Sequence, residues 1–316
     1  MKTSFKITAF ATGLAAAFGA ALGVGSLVGP VASATDQPHA QHEPAGSTAS
    51  AGELPGGLMI SEQGYTLDLA ASALPAGPAT ELRFHIRGAD GKPVTQYQKS
   101  HDKDLHLIAV RRDLTGFQHL HPVLAADGTW SVPLALTAGQ WRVFADFVPA
   151  GGEGLTLGAD LAVAGSYTPQ PLPEQVATAQ VDGYTVTLNG TLEPGASSQL
   201  TLSVSRDGEP VTDLQPYLGA YGHLVALRDG DLAYLHVHPA GEPGDGATKP
   251  GPDITFHTTT PSAGSYRLFL DFQHQGKVRT AAFTVHTNPA STTPDPTPSP
   301  TAGASSHEHG NGGSHG

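Results

Sequence analysis

Cysteine is absent from all 316 residues, which removes disulfides, thiolate metal sites, iron–sulfur clusters and cysteine nucleophiles together. Charge is scarce as well: 14% of residues are charged, and 16 Lys+Arg stand against 28 Asp+Glu, for a formal net charge of −12. That balance repels phosphate backbones and anionic headgroups, so nucleic acid is excluded as a partner. Methionine occurs only at positions 1 and 59. No run beyond the N-terminal segment keeps a helical period, whereas 39 glycines and 26 prolines suit short strands joined by many turns. What the chain does have is a 39% apolar composition, enough for buried cores, and 16 histidines, as many as Lys and Arg together. Its length corresponds to about two domains.

The N-terminus carries Lys2 and Lys6, a Gly/Ala-rich apolar run from Ile7 to Val28, and the small-residue pattern Ala32-Ser33-Ala34. This predicts a secretory signal peptide over 1–34, with an uncleaved tether as the alternative. Removing the two lysines takes the net charge from −12 to −14. Residues 35–55 read as a disordered linker with His39 and His42, and 288–316 as a Pro/Thr/Ser and His-rich tail ending in His307, His309 and His315. The expected location is secreted or extracytoplasmic, in the cell envelope, with no membrane span left after cleavage.

The middle of the chain repeats. Gly64-Tyr65-Thr66-Leu67 returns as Gly183-Tyr184-Thr185-Val186, and Asp90 to Pro122 aligns without a gap on Asp207 to Pro239, with 13 of 33 positions identical. Gly139 to Phe147 then matches Gly264 to Phe272, so the offset grows from 117 to 125 and the second copy carries an eight-residue insertion within Ala240 to Asp253. Two tandem domains follow, 56–166 and 175–287, joined by a Pro-rich linker at 167–174. Leu82, Phe84 and Ile86 alternate with polar neighbours, as do Leu200, Leu202 and Val204, which is the pattern of half-buried strands. Trp141, Val143, Ala145 and Phe147 form one core face, and Tyr266, Leu268, Leu270 and Phe272 another. Five to seven such strands per copy, with Asp-Gly turn signals, predict an all-β protein of two immunoglobulin-like β-sandwiches.

Three histidines recur at the same spacing in both copies: His106, His119 and His121, then His223, His236 and His238. Residues two apart on a strand share a face, so His119 and His121 project together, as do His236 and His238. A hairpin around Arg112–Gly116 brings His106 opposite His121, and the same geometry brings His223 opposite His238. Three imidazoles on one face suit Cu(II) or Zn(II), with water or a carboxylate completing the shell. The lack of thiols, with Met59 as the single methionine after signal removal, argues against a Cu(I) site. Capture needs neutral rings and is expected to weaken as pH falls through about 6.5. The other use of a His-x-His is structural, in aromatic packing or hydrogen bonds to loop carbonyls.

Copy one has His101-Asp102-Lys103-Asp104 where copy two has Leu218-Gly219-Ala220-Tyr221, so the two sites are expected to be unequal. Asp102 or Asp104 is either an oxygen ligand, a partner orienting His106, or simply part of a solvated acidic turn. Asp146 and Asp271 are assigned to ion pairs with Arg142 and Arg267, with metal contact as the lesser role. His85, His257, His274 and His286 have no counterpart in the other copy and read as surface residues.

The segment HDKDLHLI…DLTGFQHLHP, His101 to Pro122, resembles a group of secreted or membrane-anchored bacterial proteins, largely actinobacterial, and Tyr217 to Leu227 is similar to that group's companion segment. Over about 55–287 the resemblance implies tandem immunoglobulin-like or cupredoxin-like β-sandwiches, associated with heavy-metal and copper handling. The reading that follows is an exported, non-catalytic protein that buffers or delivers Cu(II) or Zn(II), with a membrane metal transporter or surface protein as partner. The alternative is a cell-surface module that binds protein or glycan and whose histidines are structural. No nucleophile elbow, zinc-protease helix or phosphate loop is present, which leaves redox chemistry at a three-histidine copper site as the one route to an enzyme.

Overall fold

The computed structural model describes residues 54–287 apart from His236. The segments expected to be a signal peptide (1–34), most of a linker (35–55) and a His-rich tail (288–316) lie outside the described residues. Among the described residues no helix is long and apolar enough to cross a membrane.

The chain forms two tandem immunoglobulin-like β-sandwiches. The first contains β1 (Ser61–Glu62), β2 (Tyr65–Leu69), β3 (Ala73–Leu74), β4 (Gly77–Arg87), β5 (Tyr97–Gln98), β6 (Leu105–Arg111), β7 (Gln118–Leu120), β8 (Val123–Leu124), β9 (Trp130–Leu136), β10 (Gly139–Pro149) and β11 (Leu155–Val163). Its sheets run β1-β2-β4-β9-β8 and β3-β11-β10-β6-β7, with β5 attached to β10. The second contains β12 (Thr178–Val181), β13 (Tyr184–Asn189), β14 (Ser197–Arg206), β15 (Glu209–Pro210), β16 (Gly222–Arg228), β17 (Tyr234–Leu235), β18 (Val237–Pro239), β19 (Asp253–Thr259), β20 (Ser265–His274) and β21 (Lys277–His286). Its sheets run β12-β13-β14-β19-β18, with β15 on β14, and β17-β16-β20-β21.

Each sandwich buries the alternating faces expected of it. Phe84, Trp130, Trp141 and Phe147 lie in the first core, and Tyr184, Phe256, Tyr266 and Phe272 in the second. A third apolar cluster lies between the sandwiches and comes from the opposite parity of four central strands: Ile108 and Val110 of β6, Phe144 of β10, Val225 and Leu227 of β16, and Phe269 of β20. On these strands both faces are therefore buried, one in a core and one against the other repeat. The sequence shows this in LHLIAVR and GHLVALR, which are apolar at successive positions rather than at alternate ones.

The contact between the repeats draws on equivalent residues of both copies. Phe117 stacks on Phe269 at 4.0 Å between ring centroids. The equivalent residues of the other copy, Tyr234 and Phe144, meet at 5.7 Å. Phe144 and Phe269 are buried there and Phe117 and Tyr234 partly so, and a ring that is fully buried stabilises by about 1.5–3 kcal/mol. His106 and His223 belong to the same inward-facing parity, so they project into the contact between the repeats.

Candidate metal centre

β6 and β7 form the predicted hairpin, with Leu107 opposite Leu120 and Ile108 opposite His119. Continued by one residue, that register sets His106 opposite His121. The rings follow it: centroids are 5.0 Å apart for His106 and His121, 5.2 Å for His106 and His119, and 5.1 Å for His119 and His121. Among the described residues these three are the one group of His, Cys, Asp or Glu whose ligand atoms all lie within 4.8 Å of one another. Leu120 points the other way and packs on the first core.

His106 and His119 are oriented by different groups. His106 Nε2 meets the Ser100 carbonyl at 3.0 Å. That carbonyl belongs to a two-residue turn in which His101 and Asp102 take φ values of 49° and 63°, a conformation that hairpin turns of this kind require at both central residues. Neither acidic residue considered in the sequence is the group that orients His106. His119 Nδ1 meets Asp271 Oδ2 at 2.9 Å, across the repeat boundary, and Asp271 also accepts from Thr280. The His119 and Asp271 side chains are 6% and 5% exposed, so this contact is sheltered from water. Asp271 reaches His119 because it stands opposite His223 on the face of β20 that meets the first repeat.

Acceptors at both ends assign the tautomers. The Asp271 carboxylate takes the proton on His119 Nδ1, and the Ser100 carbonyl takes the proton on His106 Nε2. The remaining nitrogens, His119 Nε2 and His106 Nδ1, then face each other at 3.0 Å. Two neutral imidazoles and a carboxylate carry two protons, and the three contacts need three. The junction therefore calls for one more positive charge, either a proton or a metal ion. Two nitrogens that share an ion at about 2.0–2.1 Å stand roughly 2.9 Å apart at a right angle and about 3.3 Å apart in a tetrahedron, which brackets the observed separation.

His121 supplies a second sign of a missing partner, since its Nε2 is buried without any hydrogen bond. Such a group costs about 1–3 kcal/mol if nothing satisfies it. Burial also pushes the His106 imidazole down to about 3 and those of His121 and His223 to about 4. These rings stay neutral, in their ligating form, well below the pH of about 6.5 expected for unperturbed histidine.

His223 is held by its own turn in the same manner, with Nε2 2.8 Å from the Tyr217 carbonyl. Its ring lies 5.1 Å from that of His101 and 6.2 Å from that of His119. A cavity of about 50 Å³ lined by His101, His106, His119, Asp146 and His223 separates these groups. That volume admits an ion with a water or two.

The expected second cluster is not assembled as the first one is. β17 pairs with β16 only through Leu235 and Tyr234. The chain then switches sheets, and Val237, His238 and Pro239 pair with β19 instead. The partner across from His238 is His257, not His223, and both are exposed. His236 lies outside the described residues.

Two other expectations need correcting. Arg142 donates to Asp160 and to the Gly57 and Leu58 carbonyls rather than pairing with Asp146, which accepts from Thr156. Arg267 donates to Thr284, and Asp271 is taken up by His119. His274 is not a surface residue: it is 6% exposed and bridges the Tyr184 hydroxyl and Asp213. His85 is half-buried and bonds Thr129, whereas His257 and His286 are exposed. Sequence reasoning missed His101 and the orienting role of Asp271. The available signal was the parity of Asp271, which puts it beside Phe269 on the buried outer face.

Among curated proteins, none matches the chain. Among solved structures it is similar to the Escherichia coli adhesin FdeC, at 16% identity over 72% of this chain and 65% of that one, with a TM-score of 0.25. It is also similar to the Yersinia pseudotuberculosis adhesin InvE, at 14% identity over 72% and 60%, TM-score 0.20. A third similar structure is that of the FN1–FN3 domains of chicken CNTN1, at 11% identity over 74% and 69%, TM-score 0.19. The chain thus spans less than two thirds of the length of the two adhesin structures. The two sandwiches themselves match one family twice, over residues 60–165 and 179–289, and the chain belongs to that family, described as Domain of unknown function (DUF8832).

Proposed function

We propose that the chain is an exported, non-catalytic metal-binding protein that buffers or delivers Cu(II) or Zn(II) through His106, His119 and His121. In this reading His223 and Asp271 of the second repeat border the centre, so the two repeats share one site. The observation that carries the reading is the 3.0 Å approach of His106 Nδ1 to His119 Nε2, beside a His121 Nε2 that is buried without a hydrogen bond. The small cavity supports an ion over an organic substrate, and the absence of thiols supports Cu(II) or Zn(II) over Cu(I). A membrane metal transporter or a surface protein is the partner such a carrier requires.

A second reading draws on a specific observation, the bond between His119 and Asp271 that ties the repeats together. Here the histidines are structural and the chain is a cell-surface module that binds protein or glycan. Calorimetric titration with Cu(II) and, separately, Zn(II) distinguishes the two. The metal reading expects the His119→Ala/His121→Ala variant to lose one equivalent relative to wild type, whereas unchanged uptake in the variant overturns it. The structural reading expects equal metal uptake and a lower melting temperature.

A further inference from the structure

The switch of sheets that separates His238 from His223 places it in a different setting. On the outer face of the second sandwich, His238 of β18 stands directly opposite His257 of β19, and His257 stands directly opposite Gln199 of β14. All three are exposed, while their neighbours Leu200, Phe256 and Thr258 are buried, so the three share one row across three strands. His257 and Gln199 also border a cleft of about 280 Å³, together with Tyr221 and Thr255.

We infer that His238 and His257 form a second, surface site for Cu(II), distinct from the interdomain centre. Directly opposed residues on antiparallel strands hold their Cβ atoms about 4.5–5.5 Å apart, a span that two imidazoles bridge when they share one ion. Two ring nitrogens leave the remaining positions to water, and the amide of Gln199 stands next in the row to ligate or to hold such a water. Among divalent ions, a site with two imidazoles binds Cu(II) most tightly and Zn(II) more weakly. The net charge of −12 adds a general attraction for cations. β18 ends its sheet, so nothing in the strand order covers this row. On an edge strand, charged residues such as lysine often prevent edge-to-edge pairing; a pair of facing histidines adds the capacity to chelate.

The test uses the full chain, because the histidines of the two termini then contribute equally to every sample. Wild type, His238→Ala, His257→Ala and the double variant are titrated with Cu(II) against a competing chelator, with pulsed EPR counting the imidazole nitrogens on bound copper. Each single variant is expected to lose the same one equivalent, and the double variant no more than either. Unchanged uptake overturns the pair, as does a loss confined to one of the two variants. Repeating the series on the His119→Ala/His121→Ala background keeps the outcomes separate: the surface equivalent is present or absent there whatever becomes of the interdomain centre.

Discussion

The two repeats part company at one point, the strand that follows the first histidine. In the first repeat β7 stays hydrogen-bonded to β6 through Leu120, and the chain joins the other sheet only at Val123. In the second repeat the equivalent of Leu120 is Val237, and it already pairs with β19. The switch thus comes three residues earlier. Because the cross-strand partner decides which imidazole meets which, this shift is enough to part His238 from His223 while the first set stays whole. Identical spacing in sequence therefore gathers three histidines in one copy and sets His238 opposite His257 on the surface in the other. What the second repeat contributes to the centre instead comes from across the boundary, through Asp271 and His223.

The strongest way to break that arrangement is to remove the contact that brings the repeats together. Phe269 is 4% exposed and stacks on Phe117. Phe269→Ala is expected to destabilise by about 3–5 kcal/mol, read from chemical denaturation, and to weaken metal uptake because Asp271 rides on the same strand. If uptake persists unchanged while stability falls by this amount, the centre belongs to the first repeat alone.

Asp271→Asn makes a subtler test of sharing. The side chain keeps its shape and loses the charge that fixes the His119 tautomer. Loss of such a supporting partner typically lowers metal affinity by about 10–100-fold. A competition titration that shows no change assigns His119 to the first repeat's own support.

Acid gives a third comparison. His106 and His223 have their pKa pushed down by burial to about 3 and about 4, so the unfolded chain binds more protons than the folded one between there and about 6.5. The sign follows: stability rises with pH in that window, is fully present above about 6.5 and is lost as pH falls toward the folded values. From pH 6.5 to 5 the expected loss is about 1–2 kcal/mol per buried ring, measured as denaturation midpoints without added metal. A flat stability profile across pH 5–7 contradicts the burial of these rings.

Much of this was legible in the chain. Period-two alternation gave the strands, the duplicated segments gave the tandem sandwiches, and the hairpin argument placed His106 opposite His121. What could not be read was the pairing of whole sheets. Alternation identifies one buried face of a strand, and a second face buried against another domain looks like a run of apolar residues with no stated partner. Ile108, Val110, Val225 and Leu227 carried that information, and with it the reach of Asp271 to His119. The strand switch was hidden for a different reason. Val237 and Leu120 are equally suited to either sheet, and local sequence does not specify the hydrogen-bonding partner.

The smallest effect sharpens the comparison most directly. His121 and His238 occupy equivalent sequence positions, yet the first has a buried ring nitrogen and the second is exposed on an edge strand. A substitution at an exposed site away from special features changes stability by no more than about 0.5 kcal/mol. His238→Ala is therefore expected to leave the denaturation midpoint of the metal-free protein almost unmoved. His121→Ala, by contrast, removes a buried polar group that lacks a partner, and so relieves a desolvation penalty while opening space beside His106. Its midpoint is expected to shift visibly, in a direction set by which of those two terms is larger. Equal shifts for the two variants, of any size, mean that His238 is as enclosed as His121, and that the second repeat has kept the strand arrangement of the first.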